Sequence, residues 1–149
     1  MLNINKLPPI SIGKPNIDIE LVSADQFTFA QLTDAYNQTR VDYLVPMPMN
    51  ERKLREYAHN YNVDLKQSTV AVNGNEILGL AMLGVRGDNT WITRLGVIPN
   101  GRQKGVGRKL MEKLIGNSQN MGASFFRRNK FFNFIAEKDH SNFIVILNG

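Results

Sequence analysis

The 149-residue chain contains no cysteine, which removes disulfides, a cysteine nucleophile and every thiolate metal site, and fits a reducing compartment such as the cytoplasm. Its two histidines, His59 and His140, stand too far apart in sequence to suggest a zinc site, so no metal is expected. No apolar run is long enough to cross a bilayer. The opening MLNINKLPPISIGKP scatters its apolar residues around Pro8 and Pro9 and does not read as a signal peptide. Acidic residues are scarce where basic ones gather. From Gly101 to Lys130 the chain carries Arg102, Lys104, Arg108, Lys109, Lys113, Arg127, Arg128 and Lys130 against Glu112 alone. A local field of that sign attracts phosphate, whether of a small molecule or of nucleic acid.

With 42% hydrophobic and 21% charged residues, the composition is that of a globular domain. Residues 1–16 read as an arm, because Pro8, Pro9 and Pro15 deny it ladder bonding. Residues 17–122 read as the main domain and 123–149 as one or two strands that complete it. Ile17 to Val22 alternates as a strand. Ser23 is a candidate N-cap for a helix to about Asn37, with Phe27, Ala30, Leu32 and Ala35 on its apolar side. Residues 41–49 (VDYLVPMPM) form an apolar loop, and Asn50 caps a second helix whose Leu54, Tyr57, Ala58 and Tyr61 share a stripe. The period then changes to two. Ser68–Val72, Glu76–Val85 and Thr90–Ile98 read as an antiparallel meander, with Asn73-Gly74 as a hairpin turn. Pro99 ends the third strand. A helix begins at Val106, with Gly116 as its expected stop.

The chemistry concentrates in LGVIPNGRQKGVGRKLM. The first peptide units of a helix present unpaired N–H groups, and the helix dipole favours an anion there. Glycine at 105 and 107 keeps side chains away from those amides. Arg102, Lys104 and Arg108 add positive charge around the same point. The spacing is not GxGxxG after a first strand, and no GK[ST] follows, so neither a dinucleotide fold nor a nucleotide-triphosphate loop fits. The unit from Trp91 to Ile115 therefore reads as a phosphate cradle of another kind.

Leu95-Gly96-Val97-Ile98-Pro99 followed by Arg102-Gln103-Lys104-Gly105-Val106-Gly107 resembles the acetyl-coenzyme A motif of the GCN5-related N-acetyltransferase (GNAT) superfamily, [RQ]xxGx[GA]. The resemblance covers residues 17–122. It implies an α/β (α+β) fold with a mixed, mostly antiparallel central sheet, a splayed strand and flanking helices. Acetyl-CoA is the implied cofactor. The amides of Arg102, Gln103, Lys104, Gly105, Val106 and Gly107, with Arg108 beside them, would take the pyrophosphate. The backbone of Leu95 and Val97 would pair with the pantetheine arm, and the Val97 N–H would polarise the acyl carbonyl. The implied activity is transfer of acetyl to a primary amine, on a small molecule or a peptide, by direct attack in a ternary complex. No nucleic-acid or membrane partner is implied, and a homodimer is compatible.

The family's closing pattern of Asn, Ala, Tyr and Gly-Phe is missing from residues 123–149, so the C-terminal part is expected to be atypical or incomplete. The tyrosines lie only at 36, 43, 57 and 61. Asp42 and Tyr43, which open the apolar loop, are the candidates to bind or deprotonate an ammonium and to protonate a leaving thiolate. Leu44, Val45, Met47 and Met49 could line an acceptor pocket. Arg94, on the face opposite Leu95, could pair with Glu76, Asp42 or an acidic substrate. Two other readings stay open: a CoA-binding or regulatory module without turnover, and a nucleic-acid binder using the basic, Phe-rich 125–134 stretch.

Overall fold

In a computed structural model, the structure describes residues 17–46, 48–123, 125–128 and 144–147. The chain forms β1 (Glu20–Ser23), a 3-10 turn at Ala24–Gln26, α1 (Phe29–Gln38), α2 (Glu51–Asn60), β2 (Val63–Asn73), β3 (Glu76–Arg86) and β4 (Asn89–Val97). A second 3-10 turn at Pro99–Gly101, α3 (Val106–Asn120), β5 (Phe125–Arg128) and β6 (Ile144–Leu147) follow. The strands make one mixed sheet in chain order. β1 to β4 are antiparallel, whereas β5 pairs parallel to β4 and β6 parallel to β5.

Strand alternation sorts the core onto two faces. Ala81, Leu83 and Ile92 face α3, where Val106, Leu110, Met111, Leu114 and Ile115 supply a continuous apolar stripe. Val70, Val72, Leu80 and Met82 face the other way, onto Leu32 and Ala35 of α1 and Leu54 of α2. Leu54, Leu110 and Leu114 are fully enclosed; burying each is worth roughly 1.5–3 kcal/mol.

Several local expectations are corrected. The first long helix is capped by Thr28, whose side chain accepts from the Gln31 N–H while Gln31 returns a bond to the Thr28 N–H. Ser23 caps nothing with its side chain; its hydroxyl donates across to the Lys66 carbonyl at 2.9 Å. The hairpin turn is Gly74-Asn75, since Asn73 still pairs with Glu76. β2 begins at Val63, five residues before the expected Ser68. A bulge separates its two paired parts, and the Ser68 hydroxyl, accepting from the Leu83 N–H and donating to the Asp64 carbonyl, bridges it. Gly116 does not stop the last helix. α3 continues to Asn120 and ends where Gly122 takes φ +73°, with Gly122 N–H to Gln119 and Ala123 N–H to Ser118 completing a Schellman closure. Asn50 does cap α2, accepting from the Lys53 N–H at 2.9 Å.

Candidate functional site

The site is built where β4 loses its neighbour. β5 pairs with β4 only at Asn89, Thr90 and Trp91 among the described residues. Beyond that point Thr93 is an extra residue in β4, a bulge between the pairs Leu83–Ile92 and Met82–Arg94. The Ile98 N–H donates inward to the Leu78 carbonyl of β3 at 2.8 Å. Successive strand residues aim their peptide groups at opposite edges. The N–H groups of Val97, and of Leu95 two residues earlier, therefore point to the edge that β5 has left. Their side chains pack against the α3 core.

Immediately after β4 the chain turns through Pro99–Gly101 and reaches α3. Gly105 is the N-cap of α3, at φ +80°, and no side chain caps the helix there. Gln103 also has positive φ, at 61°. A Cβ added at Gly105 would meet nothing within 4 Å, so the space in front of the first helical amides is open. The Val106 side chain is buried in the core and contributes only backbone to the loop. Gly107 lies beside Val97: a Cβ there would be 3.6 Å from Val97 Cγ2. The open strand edge and the open helix start are thus adjacent.

The three cations expected around this loop are all engaged within the protein. Arg102 donates from both Nη atoms to the Asp42 carboxylate, from Nη2 also to the Thr39 carbonyl at 3.3 Å, and from Nε to the Val97 carbonyl at 3.2 Å. Lys104 Nζ donates to the Asn100 carbonyl at 2.5 Å. Arg108 pairs with Glu112 one turn along the exposed side of α3, at 3.6 Å. The hydrogen bonds from Arg102 hold the Asp42 carboxyl below the usual carboxylate range, and Asp42 in turn raises Arg102. Asp42 is thereby joined to the loop between β4 and α3, sixty residues away in sequence.

Thr39, the C-cap of α1, explains how the two loops meet. It is buried, its hydroxyl donates to the Tyr36 carbonyl, and it lies directly against Gly96. Nothing in the sequence reading singled out Thr39; its only cue is that Gly96 interrupts an apolar strand. On the same side of β4, Arg94 lies over the rings of Tyr57 and Tyr36 at 4.9 and 5.6 Å, and Arg40 over those of Tyr36 and Tyr43 at 4.6 and 4.9 Å. Arg94 pairs with neither Glu76 nor Asp42 among the described residues. The Tyr57 hydroxyl donates to the Thr93 carbonyl at the bulge, at 3.0 Å, and burial raises the phenol above its ordinary value. Tyr43 stands half exposed beside Leu44 and Val45, which face solvent. Met49 belongs to the core under α1, tied there by two backbone hydrogen bonds with the Asn37 side chain; Met47 lies outside the described residues.

The family model for the acetyltransferase (GNAT) family matches residues 29–138. The chain belongs to the GNAT family. Its fold is shared with the ribosomal-protein-S18-alanine N-acetyltransferase of Escherichia coli, at TM-score 0.54 and 18% identity over 72% of this chain and 63% of that one. A GCN5-related N-acetyltransferase from Sphaerobacter thermophilus matches at TM-score 0.57 and 18% identity, over 79% of this chain and 37% of that one. A Salmonella typhimurium protein assigned as an acetyltransferase and solved with its cofactor acetyl-CoA matches at TM-score 0.53 and 19% identity, over 71% and 66%. This GNAT chain therefore spans under two thirds of the length of the first two. No curated protein sequence matches it.

Proposed function

We propose that this GNAT chain binds acetyl-CoA along the open edge of β4 and transfers the acetyl group to a primary amine within a ternary complex. The observation that carries this reading is the adjacency of two sets of backbone donors that are unfilled among the described residues: the Leu95 and Val97 amides on the strand edge and the uncapped start of α3 at Gly105. The amides from Arg102 to Gly107 would hold the pyrophosphate, with Arg108 at the rim. The backbone of Leu95 and Val97 would then bind the pantetheine arm as an added strand does, through peptide groups alone. Bound acetyl-CoA supplies an acyl carbon activated by a thiol leaving group. The Val97 N–H would polarise the carbonyl to be attacked, a donor fixed by the β3–β4 pairing before any ligand arrives. With its pKa lowered by Arg102, Asp42 would attract the acceptor's ammonium rather than take its proton, and the ammonium would release that proton to solvent before the neutral amine attacks. Tyr43, on the same loop, would be the candidate to return a proton to the thiolate.

Calorimetric titration with acetyl-CoA and CoA tests the binding step, with Gly105→Val as the comparison. The expected result is saturable binding that the substitution abolishes. No binding to the full chain, or equal binding by the variant, defeats the reading. A second reading, binding without turnover, is favoured by the lack of any tyrosine after α3. Steady release of CoA thiol in the presence of a panel of amines would exclude it.

A further inference from the structure

We infer that Arg40 and Arg94 form an oxyanion subsite on the acceptor side of the splay, so that the acceptor is a small primary amine also carrying an oxyanion, in the first instance a carboxylate. This rests on the acyl-transfer reading above and names its substrate class. Both guanidiniums rest on one ring, that of Tyr36, which is itself buried. Arg94 immediately precedes Leu95, whose peptide faces the open edge, and Arg40 stands at the root of the loop that carries Asp42.

Among the described residues the Nε atoms of Arg40 and Arg94 are both buried with no hydrogen-bond partner. Two like charges share a wall of tyrosines, and among the described residues no carboxylate faces either. Asp42, the nearby acid, is taken by Arg102, and Glu56 pairs with Arg52 on the exposed side of α2. Tyrosine faces stabilise a guanidinium but leave its hydrogen-bonding capacity unused. The planar Nη pairs are what remains to meet a ligand, and their geometry matches an oxyanion. With the anion held at Arg40 and Arg94, a short zwitterion would have its amine directed to the open edge of β4.

The test uses the full chain with acetyl-CoA and matched acceptors. In these, 5-aminopentanoate is compared with its amide, which keeps the amine's basicity nearly equal, and with the corresponding phosphonate. The carboxylate is expected to exceed the amide in kcat/KM by roughly tenfold to a hundredfold, the range of a hydrogen-bonded charge contact. In Arg94→Gln and in Arg40→Gln that ratio should fall towards one through KM, and Arg94→Lys should recover part of it. If the phosphonate outperforms the carboxylate, the subsite is an oxyanion site of higher charge and the assignment of carboxylate is overturned. A ratio near one in the unaltered protein, or a ratio unmoved in the glutamine variants, overturns the subsite itself. Where acetyl-CoA binds without turnover, calorimetric titration of the two acceptors into the CoA complex reads the same preference, and equal affinities overturn it. Failure of acetyl-CoA to bind at all would instead strike the acyl-transfer reading.

Discussion

Gly96 is the point at which the end of α1 and β4 are pressed together, and replacing it by alanine tests that directly. A Cβ at this position would come within 2.6 Å of both Cβ and Oγ1 of Thr39, and 3.0 Å of its Cγ2. Thr39 cannot swing aside. Its Cβ is fixed by the backbone at the end of α1, its side chain is buried, and its hydroxyl is bonded to Tyr36. Relief must come from moving the helix end off the strand. Overpacking of this kind costs about 1–3 kcal/mol. For a domain of this size that corresponds to a fall in Tm of roughly 2–4 °C per kcal/mol, readable by calorimetry or by urea unfolding at unchanged m-value. The same movement carries away the Thr39 carbonyl that Arg102 uses, so binding of acetyl-CoA should change with it. Thr39→Gly removes the clashing atoms, and the double variant should then be more stable than the sum of the two single losses predicts. Wild-type stability in Gly96→Ala, or strict additivity in the double variant, would refute the packing argument.

Other consequences are simpler to read. Because the bonds from Arg102 lower the Asp42 pKa, ionised Asp42 contributes stability that is present above the ordinary carboxylate value near 3.8 and lost as pH falls through its depressed folded value; NMR titration of its carboxyl should show an inflection below 3.8, returning to it in Arg102→Ala. Tyr57→Phe deletes the bond to the bulge carbonyl of Thr93 and should cost about 1 kcal/mol in urea unfolding. Ultraviolet titration should show one fewer tyrosine ionising above pH 10 in that variant than in the parent. Gly105→Ala meets no atom but places a side-chain residue at φ +80°, for a loss of about 1–2 kcal/mol; a larger loss would mean that the loop packs more tightly than its geometry shows.

The strand–turn–helix unit of this chain was legible because it is local. Strand, proline stop, glycine-opened helix and basic loop lie within Trp91 to Ile115, and each leaves its mark on residue type at short range. The meander was legible for the same reason, through period two and its turns. What escaped lay either in a choice between local alternatives or in contacts between distant residues. Thr28 beat Ser23 as a cap because Gln31 reciprocates, while Ser23 is drawn into a bond with residue 66. Helix α3 passed through Gly116 because the apolar stripe from Leu110 to Ile115 already held that turn on the sheet, and Gly122, in the left-handed conformation, supplied a better ending. The union of Asp42 with Arg102 and the stacking of Arg94 on Tyr36 are tertiary facts that no spacing rule encodes, whereas Arg40 stands four residues from Tyr36. The expected arm at 1–16 lies outside the described residues.

The fate of Arg102 gives the motif a meaning beyond charge. Read along the chain, it is one cation among several that would simply meet a phosphate. In the folded protein its three nitrogens tie together the end of β4, the end of α1 and Asp42 in the loop that follows it. A pyrophosphate arriving at the start of α3 would compete with Asp42 for that guanidinium, since both are anions and the fork has a fixed number of donors. Occupation of the cofactor site would then free Asp42 at the moment an acceptor amine needs an anionic partner. On this argument CoA should raise the Asp42 pKa towards its ordinary value, and Asp42→Asn should bind CoA more tightly, because its competitor for Arg102 is weakened. An Asp42 titration indifferent to saturating CoA would show that Arg102 serves only to brace the loop.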